Sequence, residues 1–212
     1  MKFSDVEQFP NEWLNTVTHE DISMNTLPAI TDRDEADLQL LYQLRSIKWE
    51  NMTQQEQAQW MGVMKGAYNA DDLNRVGYIV NYVRDYLNGL QGVLNAWMVL
   101  WGVAPDEAFS VPYGPLSITG ITTWPVDAIP NKSDMATYLD NVKTVTDALD
   151  IQKQLPETMD CLTVIGANEI ERALLSELAA GEAFEEEKKQ WIVNAAAAWY
   201  YCGEIYGGEV TA

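Results

Sequence analysis

Nucleophilic catalysis through a Ser–His or Cys–His pair requires an imidazole, and the chain has one histidine, His19, within Val17-Thr18-His19-Glu20-Asp21. A lone histidine among polar neighbours reads as a solvated side chain, with no base or nucleophile beside it in sequence. The cysteines, Cys161 and Cys202, stand too far apart for a C-x2-C pair. A zinc site would have to gather both of them, His19 and a carboxylate from three distant segments. They read as reduced thiols packed as small apolar groups. Asp32, Asp34 and Asp37 resemble the opening of a calcium loop, but the sixth position, which must be glycine, is Asp37 itself. No phosphate-cradling glycine motif occurs, and Gly62, Gly66 and Gly77 fall near or inside helical patterns. No carboxylate pair is singled out for glycoside hydrolysis. The expectation is a protein without catalytic residues, cofactor or bound metal.

The side chains that stand out are aromatic: 8 Trp, 10 Tyr and 4 Phe. Core packing accounts for most of them, and protein–protein interfaces are the other place where Trp and Tyr concentrate. The run Trp199, Tyr200, Tyr201, Ile205 and Tyr206 reads as a strand with aromatics on both faces, both of which must be covered. Trp124, in a Pro-rich stretch, is the second interface candidate. With Lys plus Arg at 13 and Asp plus Glu at 32, the net charge is −19. So acidic a chain lacks the basic face that nucleic acid requires and is repelled by anionic lipid. The longest apolar stretch, Val93–Val103, has 11 residues and contains Asn95, well short of the ~20 a membrane span needs. The first residues show no apolar secretory core, so synthesis in a cytoplasm is expected.

The elements that must position these side chains are mainly helices. Residues 1–29 read as an N-terminal arm, 30–101 as a helical module, 102–130 as a Pro-rich connector with one or two short strands, and 131–212 as a second helical module ending in a strand. Thr31, Thr53, Asn69, Asn131 and Thr163 are the expected N-caps, with Glu or Asp in the following turn at most of them. After Asn69, the residues Leu73, Val76, Val80, Val83, Leu87 and Leu90 form an amphipathic stripe. Met135, Tyr138, Val142, Val145 and Leu149 form another after Asn131. Ala167, Ile170, Leu174 and Leu178 form a third, which Gly181 should terminate. Placing Asn69, Asn131 and Thr163 in register brings Asp72 onto Asp134 and Asn74 onto Asn168, as though one capped helix had been repeated. The expected fold is a bundle of five to six amphipathic helices with a small β element.

Four segments, in order, carry a resemblance. They are Gly66-Ala-Tyr-Asn-Ala-Asp-Asp-Leu-Asn-Arg-Val76, Thr123-Trp-Pro-Val-Asp-Ala-Ile-Pro-Asn-Lys-Ser-Asp-Met135, Leu155-Pro-Glu-Thr-Met159 with Gly166-Ala-Asn-Glu-Ile-Glu-Arg172, and Tyr201-Cys-Gly-Glu-Ile-Tyr-Gly-Gly-Glu-Val210. Together they are similar to a family of structural proteins of tailed bacteriophages and prophages of Gram-positive bacteria; Thr137 departs from the basic residue usual there. The resemblance implies a non-enzymatic virion component of the tail or baseplate, forming homo-oligomers and binding other virion proteins. A head-decoration or host-recognition protein, and an acidic helical adaptor or inhibitor mimicking nucleic-acid charge, are the alternatives.

Overall fold

The computed structural model describes residues 27–61, 64–66, 68–120, 124–125 and 130–206, with side chains described as far as Ala198. Among these residues five α-helices follow in order: α1 Glu35–Arg45, α2 Gln54–Met61, α3 Ala70–Trp101, α4 Lys132–Thr146 and α5 Val164–Tyr206, with 3-10 turns at Trp49–Asn51 and Glu107–Phe109.

The helix starts are built by side chains. Asn69 accepts from the backbone N–H groups of Asp71 and Asp72, and Asp72 reaches back to the Asn69 N–H, closing a capping box. Asn131 and Asp134 make the same box at α4. Thr53 and Glu56 do so at α2, and the Thr163 hydroxyl accepts from the Gly166 N–H, 3.0 Å away, at the start of α5. At α1 the cap is Asp34, boxed with Asp37, and not Thr31. The reason is tertiary. The Thr31 carbonyl accepts from the Arg172 guanidinium, and the N–H groups of Ile30 and Arg33 bond Glu171 and Asn168, so residues 30–33 are bound to α5 and no helix can start before Asp34.

Helix α3 runs for 32 residues, about 48 Å at 1.5 Å per residue, and takes in most of the apolar stretch 93–103. It stops at Gly102, whose left-handed φ of 65° lets its N–H reach Val99 while the Val103 N–H bonds the Met98 carbonyl, a Schellman ending. Helix α5 does not stop at Gly181. It continues for 43 residues, about 65 Å, to Tyr206. Gly181 sits where α5 crosses α3: a Cβ there would lie 2.8 Å from Tyr86 Cε1 and 3.1 Å from Leu87 Cδ2. The glycine permits close helix approach and is not a terminator. Beyond it Ala195–Ala198, the strongest helix formers, carry the helix through to Trp199, Tyr200, Tyr201, Ile205 and Tyr206. The C-terminal strand expected there is therefore helical backbone as far as Tyr206.

Helices α3 and α5 make the largest helix contact and run in the same direction, as the pairs Arg75–Glu171, Tyr86–Glu185 and Trp97–Lys189 show. Leu73, Val76, Ile79, Val80, Val83, Leu87 and Leu90 of α3 meet Ile170, Leu174 and Leu178 of α5 and Tyr138, Leu139, Val142 and Val145 of α4. Both helical modules thus share one core, and Leu27 of the arm and Trp124 of the connector enter it as well. A smaller cluster of Leu94, Met98, Phe109 and Ile192 closes the far end.

No strand occurs among the described residues. Residues 109–120 and 124–125 instead lie along the helices, from Val111 beside Gln91 through Leu116 beside Asn88 to Trp124 beside Asn74. Their backbone groups pair with side-chain amides from helices, which occupy the places a neighbouring strand would take.

Candidate functional site

Two kinds of polar construction organise the molecule. The first is a set of amide clamps. Asn74 Oδ1 accepts from the Trp124 N–H at 2.6 Å while its Nδ2 donates to the Trp124 carbonyl at 2.9 Å. Asn88 grips Leu116 the same way at 2.8 and 2.9 Å, Asn141 grips Thr119 at 3.0 and 2.7 Å, and Asn168 grips Arg33 at 3.1 and 2.8 Å. A carboxamide presents one donor and one acceptor side by side, the same complement that one residue of extended chain exposes. Asn74 and Asn168, which share a position in the repeated pattern, have the same role.

The second is a buried ion network. Arg33 Nη2 lies 3.0 Å from Asp72 Oδ1 and 2.7 Å from Glu171 Oε1, while Arg75 Nη2 reaches the same two oxygens at 2.5 and 2.8 Å. Arg33, Asp72 and Glu171 are buried. Two guanidinium groups and two carboxylates cancel, which makes so dry a cluster tolerable. The Ile30 N–H adds a bond to Glu171 Oε2, and the Arg33 guanidinium lies 5.7 Å from the Tyr68 ring centroid. The Tyr68 and Tyr138 hydroxyls are 2.6 Å apart, and burial raises the pKa of both. The network thus ties residues 27–34 to the first turns of α3 and α5. Tyr68, Asp72, Arg75 and Glu171 lie within the quoted motif segments. Nothing near Arg33 in sequence marks an arginine for burial.

Beside the start of α5 a groove of about 410 Å³ is lined by residues including Leu38, Tyr42, Lys65, Tyr68, Ile165 and Arg33. The Lys65 ammonium is bonded to Asp32 Oδ2 at 2.6 Å. Among the described residues no group of three His, Cys, Asp or Glu side chains is placed to hold a metal ion. Asp34 and Asp37 form the α1 capping box, and Asp32 holds Lys65. Cys161 is exposed. His19 lies outside the described residues.

The interface candidates divide. Trp124 is 4% exposed and packs in the chain's own core, so it is not a surface anchor. Its place follows from the clamp on its backbone, which pulls the side chain in beneath α3. Trp199, Tyr200, Tyr201, Ile205 and Tyr206 lie on the last turns of α5, and their side chains are outside the described set. The large apolar side chains that do face solvent are elsewhere. Val99 is 82% exposed, and Leu100 and Trp191 are also exposed, near the end of α3 and the alanine run of α5; Tyr42, Trp49, Trp60 and Met61 are exposed around α1 and α2. Lys188 lies 4.1 Å from the Trp191 ring centroid, a cation–π contact that covers one face of the indole. No charge or motif separates these residues from core aromatics in the sequence, so only the fold distinguishes them.

No family model, curated protein or solved structure matches this chain. No helix of the described residues is long and apolar enough to cross a membrane.

Proposed function

We propose that this chain is a non-enzymatic structural subunit of a bacteriophage particle, a tail or baseplate component that joins copies of itself and other virion proteins through apolar and aromatic surfaces. The observation that carries the reading is the division of labour among the side chains. The motif residues Asn69, Asp72, Asn74, Arg75, Asn131, Asp134, Asn168 and Glu171 cap helices, clamp extended chain or neutralise one another. Large apolar groups such as Val99, Leu100, Trp60 and Met61 are left in solvent. A frame that consumes its polar groups internally and exposes apolar ones is suited to burial against neighbours. The net charge of −19 keeps the free subunit soluble until it meets them. Within a particle, head decoration or host recognition would use the same surfaces.

Mass spectrometry of purified particles from a strain carrying the gene tests the proposal. The chain is expected among the virion proteins at a stoichiometry of several copies. Particles complete without it would overturn the structural assignment. The charge supports a second reading, an acidic adaptor that mimics nucleic acid. That reading requires a basic nucleic-acid-binding protein to capture this chain and DNA to displace it.

A further inference from the structure

Glu177 stands midway along α5 and is fully buried. Its Oε1 accepts from the Leu149 N–H at 2.8 Å, and its Oε2 has no hydrogen-bond partner. Leu149 lies in the turn that follows α4. That turn is under local constraint, because Asp150 adopts a left-handed φ of 52°, a conformation that L side chains disfavour. The charged and titratable groups facing the carboxyl are Lys153 and Asp147 from the turn and Tyr113 from the connector. Lys153 is engaged elsewhere: its ammonium is 2.5 Å from Asp147 Oδ1 and bonds the Thr146 carbonyl at the end of α4. Tyr113 donates to the Leu87 carbonyl. An ionised Glu177 would therefore keep a desolvated, half-satisfied charge in the core, whereas a neutral one keeps its bond to Leu149 without that charge.

We propose that Glu177 is a proton-operated latch on the turn Asp147–Lys153: neutral, it holds the turn closed against α5, and on losing its proton to solvent its desolvated carboxylate gains water only if the turn opens, which outweighs its bond to the Leu149 N–H and its attraction to Lys153. Burial pushes the Glu177 carboxyl up to about 7, outweighing the lowering by the Leu149 N–H and Lys153, so the latch works around neutrality. Opening loosens the cation that serves the last carbonyls of α4. It also loosens Leu149, Leu155 and Met159, which pack on the main core from the turn and the segment after it. The segment 147–163 leads directly into the start of α5, so protonation at Glu177 is coupled to how firmly the groove beside that helix start is framed.

The test is amide hydrogen exchange of the full-length chain between pH 6 and pH 8, corrected for the intrinsic pH dependence of exchange. Protection of the Leu149 amide, which Glu177 itself bonds, is expected to fall about tenfold over this interval, following the ionised fraction of a group with this midpoint. Protection in the middle of α3 should stay constant, and Glu177→Gln should hold the turn closed at both pH values. Constant protection of the turn in the unaltered chain, or an undiminished fall in E177Q, would overturn the latch. Should E177Q not fold, carboxyl carbon NMR of the unaltered chain decides: a Glu177 midpoint near neutrality supports the latch and an ordinary carboxylate value removes it.

Discussion

Asn74 holds Trp124 by its backbone, through both amide atoms of one side chain, 50 residues away in sequence. The clamp fixes the depth at which the Trp124 indole enters the core. Replacing Asn74 by Leu leaves the N–H and C=O of Trp124 without partners in a partly buried place, where each lost partner costs about 1–3 kcal/mol. Asn74→Leu should therefore lower unfolding free energy by about 2–4 kcal/mol in denaturant titration. Asn88 makes the same two bonds to Leu116 at the exposed surface, where water can replace them. Asn88→Leu should cost under about 1 kcal/mol. Equal losses for the two variants would show that burial does not set the strength of the clamp.

Arg33 is the hinge between the segment before α1 and the helix pair, since its backbone bonds Asn168 and its guanidinium bonds Asp72 and Glu171. Removing one member of a buried, balanced charge cluster strands the others, at a cost of about 3–5 kcal/mol. Arg33→Met should show that loss. The double variant Arg33→Met, Glu171→Gln should recover part of it, because it restores charge balance between Arg75 and Asp72. A double-mutant cycle by chemical denaturation measures the coupling, and additive losses would mean that Arg33 and Glu171 do not share one network.

The helices were legible in the sequence because local signals agree. At Asn69 the cap, the Asp at N3 and the apolar stripe all point to one start. Where the outcome depended on a distant partner, local signals misled. Thr31 is a sound cap by type, but Arg172 and Asn168 bind its segment. Gly181 is a sound terminator by type, but Tyr86 and Leu87 press against it. The connector's β-forming residues at 116–119 are held against helices, yet amides on α3 and α4 take the place of a second strand. The clamps themselves were half visible: the recurrence of asparagine at 74 and 168 was evident, and what each would grip was not.

The two roles a helical glycine can have are separated by substitution. Gly181→Ala gains helix propensity of about 1 kcal/mol but drives a methyl to within 2.8 Å of Tyr86 Cε1. Overpacking of that kind costs about 1–3 kcal/mol, so a net loss in thermal midpoint is expected. Gly92, inside α3, has nothing within 4 Å of an added Cβ. Gly92→Ala should raise the midpoint by about 2–4 °C, the response of a chain this size to roughly 1 kcal/mol. A stabilising Gly181→Ala would mean that α3 and α5 lie farther apart than the contact at Tyr86 requires.

The exposed ends of the frame make the assembly reading testable without disturbing the fold. Val99 is 82% exposed and Leu100 43% exposed, and both lie on the last turn of α3 outside the buried cluster of Leu94, Met98 and Ile192. Polar replacements at exposed sites change stability by about 0.5 kcal/mol or less. The double variant Val99→Ser, Leu100→Ser should therefore unfold at nearly the same denaturant midpoint as the unaltered chain. If these side chains are buried against a neighbour in the particle, each withdraws apolar surface worth about 25 cal/mol per Å², and losing both should cut incorporation at least tenfold in a competition between tagged variant and unaltered chain during particle assembly. The corresponding change at Trp60 and Met61, exposed on α2, tests whether α2 is a second contact. Incorporation at the unaltered level by the α3 variant would move the interface off this end of the molecule. Loss by both would require that the last turn of α3 and the exposed face of α2 each meet a neighbour.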